Sequence, residues 1–254
     1  MSHEFAIREE IELAATPEQV WEAIATGPGI DSWLMGHTEI EPGVGGAARM
    51  TMLGFTQTST ITAWEPGRRF AYSSAPNPQD DSYMAFEYLL EEREGGSTVL
   101  RMVHSGALGG DWAAEYDALT KGDRVYLRKL AAYLEHFPGL TSVHNVFAPG
   151  PQADGERTWA AVRDALGLTG PLTAGAPVRL RIEGLGPQDG VVEFADLPTA
   201  VGVRVDDGLY TFVHGYQDTV LVEHHNFAKD ADHEGIERAW RSWLDRSFSA
   251  PATA

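Results

Sequence analysis

Apolar and polar positions alternate from residue 5 to 14, where Ile7, Ile11 and Leu13 stand among Arg8, Glu10 and Glu12. That period of two predicts a half-buried strand. Thr16-Pro17-Glu18 then starts a helix, with Thr as the cap, Pro at the first helical position and Glu in the positive first turn. Val20, Trp21, Ile24 and Ala25 share one face at helical spacing. Gly27-Pro28-Gly29 breaks the helix, and residues 30–34 suit a second short turn. Strands are predicted at 38–41, 47–53, 57–64, 69–74, 82–91 and 97–105, punctuated by Pro42-Gly43, Glu65-Pro66-Gly67, Pro76-Asn77-Pro78 and Gly95-Gly96. With no helical pattern between them they should pair antiparallel. From Asp111 the period turns helical: Trp112, Tyr116, Leu119, Tyr126, Leu130, Leu134 and Phe137 form one stripe, with Gly122 and Asp123 a candidate bend and Pro138-Gly139 the stop.

The same order recurs further on. A strand is predicted at 141–147, a break at Ala148-Pro149-Gly150-Pro151, and a helix at 156–166. Strands at 178–183, 190–195, 200–205, 209–214 and 219–227 lead into a closing helix at 232–248. This second copy is shorter and lacks a counterpart of the Asp31-Ser32-Trp33 turn. The pattern predicts an α+β protein of two tandem domains, residues 1–139 and 140–254.

Composition narrows the classes. The chain has 254 residues, 43% hydrophobic and 22% charged, enough to build a core in each half. Cysteine is absent, which excludes disulfides, thiolate metal sites and a cysteine nucleophile. A cytoplasmic location is expected, since the first residues lack a basic and then apolar leader pattern and no apolar run reaches the length of a membrane span. The net charge of −18 repels phosphate backbones and anionic lipid, so nucleic acid and membrane are not expected partners.

Several stretches carry a family resemblance. They are Ala14-Ala15-Thr16-Pro17-Glu18-Gln19-Val20-Trp21, Ile30-Asp31-Ser32-Trp33, Gly45-Gly46 and Trp64-Glu65-Pro66-Gly67-Arg68-Arg69-Phe70. The stretch from Ser97 through His104-Ser105-Gly106, and Tyr126-Leu127-Arg128-Lys129-Leu130-Ala131, complete the set. In this order, residues 5–139 resemble the START/polyketide-cyclase-like (SRPBCC) superfamily, in the branch related to the heat-shock-protein-90 ATPase activator. The resemblance implies a helix-grip fold: an antiparallel curved sheet wrapped around a long C-terminal helix, enclosing a pocket for a small apolar or amphipathic molecule. Over residues 140–254 it rests on element order alone. It implies no universal catalytic residue.

Strand parity, with the Trp33 turn and the Trp112/Tyr116 face of the long helix, then nominates a pocket lining: Trp33, Met50, Met52, Phe55, Trp64, Tyr72, Met84, Phe86, Tyr88, Met102, His104, Trp112 and Tyr116. Methionine and aromatic side chains suit an adaptable apolar wall, and they also suit an ordinary packed core. His104, on the inward face with Leu100 and Met102, reads in two ways. It is a ligand-binding or acid/base group, or a buried neutral ring bonded to a neighbouring strand or to Tyr116. His224-His225 point to opposite faces of a strand and do not spell a joint metal site. No cofactor motif is present: there is no phosphate-binding loop, no dinucleotide fingerprint and no nucleophile elbow around Ser105. The expectation is a ligand-binding protein without an assigned catalytic residue. Two alternatives stand beside it: a cyclase-, aromatase- or hydrolase-like enzyme using His104 and a pocket tyrosine, and a protein-interaction module with an unnamed partner.

Overall fold

The computed structural model describes residues 2–249. The chain divides into two compact units, Met1–Thr141 and Ser142–Ala254. In the first, β1 (His3–Leu13) leads into α1 (Pro17–Ala25) and α2 (Gly27–Asp31). The meander β2 (His37–Ile40), β3 (Ala47–Met52), β4 (Phe55–Glu65), β5 (Arg69–Ser74), β6 (Tyr83–Glu92) and β7 (Thr98–Leu108) follows, and α3 (Trp112–His136) closes the unit. The sheet is antiparallel throughout, ordered β1-β7-β6-β5-β4-β3-β2. It curves around α3, which packs on β1 and β7.

Local chemistry fixes the elements that shape the interior. Thr16 and Gln19 form a reciprocal capping box at the start of α1: the threonine hydroxyl accepts from the Gln19 N–H at 3.4 Å, and Gln19 Oε1 accepts from the Thr16 N–H at 2.9 Å. Gly29 lets α2 fold back tightly, because a Cβ there would meet the Glu22 carbonyl oxygen at 1.9 Å. The following turn is tied to α1 by the Trp33 indole, whose Nε1–H donates to the Ala23 carbonyl at 2.8 Å.

The second unit repeats the plan with one strand and one helix fewer. Its elements are β8 (His144–Gln152), α4 (Gly155–Ala165), β9 (Pro177–Leu180), β10 (Gln188–Leu197), β11 (Ala200–Val205), β12 (Gly208–His214), β13 (Thr219–Asn226) and α5 (His233–Phe248). The sheet order β8-β13-β12-β11-β10-β9 matches that of the first unit position for position, short of an equivalent of β2. α5 packs on β8. Trp240, Trp243, Tyr210, Phe212 and Phe248 meet ring to ring between sheet and helix, in one core with Val203, Val222 and Leu180.

Two expectations need correction. The Ala148-Pro149-Gly150-Pro151 stretch does not end the strand before α4; β8 runs through it to Gln152. β8 is an edge strand whose pairing slips between Thr219 and Leu221, and at an edge the missing proline donors break no ladder. In α3, Gly122 and Asp123 do not interrupt the helix, which is continuous from Trp112 to His136.

Candidate functional site

Between the sheet of the first unit and α3 lies a cavity of about 360 Å³, within the size range of small-molecule sites. Met35, Met50, Met52, Met84 and Met102 all line it; they are every methionine of the chain except Met1. Trp33, Tyr72, Phe86 and Tyr88 supply the aromatic wall, and Leu119, Tyr126 and Leu127 of α3 supply the opposite one. Of the thirteen nominated positions, Trp33, Met50, Met52, Tyr72, Met84, Phe86, Tyr88, Met102 and His104 border the cavity.

The other four lie elsewhere, each for a local reason. Phe55 opens β4 beside the Leu53-Gly54 turn, and the hairpin tip carries it past the wall, leaving it 69% exposed. Trp64 faces inward but beyond the cavity. An extra residue, Thr62, bulges β4 between Ile61 and Ala63 and resets the side-chain parity. The Trp64 ring then packs against Trp21 at 5.1 Å and Phe70 at 5.5 Å. Trp112 and Tyr116 sit on the exposed first turns of α3, one stacked on His3 at 4.7 Å and the other edge-on to Phe5 at 6.3 Å.

The polar part of the wall is compact. His104 projects from β7, opposite Ile7 of β1 and Phe86 of β6, and is 3% exposed. Its Nδ1 meets the Asp123 carboxylate of α3 at 2.9 and 3.2 Å. Its ring stacks on Phe86 at 3.9 Å and takes the Phe5 ring edge-on at 5.2 Å. Nε2 lies 3.4 Å from the Met84 sulfur. The imidazole is thus bonded through Nδ1 to an acid on the helix and meets the neighbouring strand β6 through the Met84 sulfur, and Tyr116 is not its partner. Asp123, itself buried, was not nominated from the pattern. Its signal is there all the same: it stands four residues after Leu119 and four before Leu127, a carboxylate on the apolar face of a helix. A buried charge needs a partner, and His104 is that partner.

Two phenols complete the site. Burial pushes Tyr72 up to about 12, with the Asp123 charge adding to the effect, and raises Tyr88 well above the ordinary tyrosine value. Their hydroxyls interact with one another. Both remain protonated donors across the physiological range.

The second unit places a histidine at the matching point. His224 on β13 lies opposite Val146 of β8 and Tyr210 of β12, as His104 lies between Ile7 and Phe86. Here the helix offers a donor instead of an acid: Trp240 Nε1–H donates to His224 Nδ1 at 3.2 Å. Burial, with His144 adding to it, pushes His224 down to about 3. His225, its neighbour on the strand, engages Asn145 through Nδ1 at 3.0 Å.

A curved antiparallel sheet closed by a C-terminal helix over a pocket defines the first unit as a helix-grip domain of the START/polyketide-cyclase-like (SRPBCC) class, and the second repeats that topology. Residues 14–135 match the family described as "Activator of Hsp90 ATPase homolog 1-like protein", a match that lies within the first unit. Among solved structures it resembles protein MLL2253 from Mesorhizobium loti, at 25% identity over 52% of this chain and 98% of that one, with a TM-score of 0.47. It resembles the Aha1 dimer from Colwellia psychrerythraea at 24% identity, 52% and 96% coverage and a TM-score of 0.42. The di-domain ARO/CYC BexL from the BE-7585A biosynthetic pathway is similar across both units, at 14% identity, 97% and 99% coverage and a TM-score of 0.47. No curated protein matches the chain in sequence. No helix among the described residues is long and apolar enough to cross a membrane.

Proposed function

We propose that the protein binds a small, largely apolar molecule in the cavity of its first unit and anchors one polar group of it at the His104–Asp123 end. The observation that carries this reading is the hollow itself. Five flexible methionines and five aromatic rings surround about 360 Å³ of space, and the His104–Asp123 pair sits on one side of it. Apolar surface left facing an unfilled space gains free energy when a guest covers it, by about 25 cal/mol per Å². The polar groups fix the orientation of that guest. The family description names an activator of a chaperone ATPase; that role calls for an exposed surface, whereas the enclosed site supports a ligand.

The test is a titration of the full chain with N-phenyl-1-naphthylamine, a neutral apolar dye that fluoresces on leaving water. One saturable site per chain is expected, abolished when Met102→Trp fills the cavity. Binding that never saturates, or that survives Met102→Trp unchanged, ends this reading.

A further inference from the structure

We infer that the cavity is also catalytic: His104 Nε2 removes a proton from the carbon beside a carbonyl in an apolar cyclic ketone, while the Tyr72 and Tyr88 hydroxyls hold the carbonyl oxygen. This rests on the binding reading and extends it from holding a guest to enolising one. Asp123 accepts from His104 Nδ1–H, which in the neutral ring leaves the lone pair on Nε2. The Phe86 stack and the Phe5 edge hold the plane of that ring. Nε2 faces the Met84 sulfur at 3.4 Å, and Met84 is a pliant, half-buried side chain of the cavity wall that an entering carbonyl compound displaces. A base oriented by a carboxylate, with hydrogen-bond donors bordering the same space, is the arrangement that proton transfer at carbon requires.

The step balances without any co-reactant. The C–H bond breaks, its proton goes to Nε2, and its electron pair becomes the new C=C bond. The carbonyl π pair moves onto oxygen, where a tyrosine O–H meets the developing charge. A pair of hydroxyls satisfies one of its two protons internally and offers the other to an acceptor. Asp123 stabilises the imidazolium so formed and acts as a positioning residue. Return of the proton, to the same carbon or to one further along a conjugated system, restores the neutral ring and releases a racemised or isomerised ketone.

The experiment uses 2-tetralone as probe with the full chain in D₂O, following loss of the α-protons by NMR. Displacement of N-phenyl-1-naphthylamine by the same ketone is measured in parallel. Exchange at least about 100-fold above buffer is expected, the span typical of a placed general base. His104→Gln should lose it while dye affinity holds within about threefold, the size expected when the apolar wall supplies the binding. Asp123→Asn still offers an oxygen to Nδ1–H, so it should cut kcat at least about tenfold and leave KM within about twofold. Should His104→Gln fail to bind the dye, Asp123→Asn carries the test. Displacement by 2-tetralone with exchange at the buffer rate overturns catalysis and leaves the binding reading standing. Dye binding without displacement also overturns it, and the absence of dye binding removes both.

Discussion

The two units draw the same sheet order around a C-terminal helix, and at one matched position they put the same residue to opposite uses. His104 donates a hydrogen bond from Nδ1–H to Asp123 in a wall that borders open space. His224 accepts a hydrogen bond at Nδ1 from the Trp240 Nε1–H, inside a cluster of touching rings. The helix side chain bonded to each histidine thus differs in two properties together. An aspartate leaves room and points the free imidazole nitrogen at the cavity. A tryptophan fills the room and turns the polarity of the hydrogen bond around. Topology alone therefore decides neither whether a helix-grip unit is hollow nor which nitrogen of its histidine carries the proton.

The largest effect should come from opening the ring cluster of the second unit. Trp240, fully buried, truncated by Trp240→Ala, should cost about 3–5 kcal/mol, measured by urea denaturation with hydrogen-exchange mass spectrometry reading each unit separately. A loss under about 1 kcal/mol would mean the second unit does not depend on that filling.

Acid should act next. In the unfolded chain His224 takes up a proton below about 6.5, whereas in the fold it resists protonation until about 3. Over that interval acid favours the unfolded state, so the second unit loses about 1.4 kcal/mol of stability per pH unit as pH falls. Denaturation at pH 6.5 and pH 4.5 should show the slope, and His224→Gln should reduce it by about one proton. An unchanged slope would place the histidine in contact with water.

The smallest effect is a contrast between two enlargements. Val203→Phe adds bulk at a residue with no exposed surface in the second core and should cost about 1–3 kcal/mol. Met50→Trp adds bulk at the cavity wall and should change stability by less than about 1 kcal/mol, because open space receives it. Equal costs at the two sites would erase the distinction between hollow and filled.

Much of this architecture is written in local periodicity. The period-two runs, the Thr16-Pro17 start, the Gly/Pro punctuation and the helical stripe of α3 identify every strand of the first sheet and its closing helix. Eight of the nominated positions face one space because alternation along a strand is enough to sort its faces, and Trp33 joins them from the turn after α2. The rest depended on features that a regular pattern hides. One inserted residue at Thr62 reset the parity that Trp64 follows. An edge position tolerated Pro149 where a central strand would have broken. Asp123 looked like a helix irregularity because its partner lies nineteen residues earlier on another element. Hollow and filled cores share the same apolar rhythm. They differ in side-chain volume and stiffness, methionine against tryptophan, and such differences show their effect only once the elements are packed.

That methionine wall bears on selectivity. Thioether side chains turn about three bonds and yield to whatever presses on them, so the greasy flank of the chamber takes its contour from its guest. The imidazole–carboxylate corner is held in place, braced by two phenylalanines. Discrimination should then follow the head group: compounds with one shared polar terminus and dissimilar hydrocarbon bodies compete on near-equal terms.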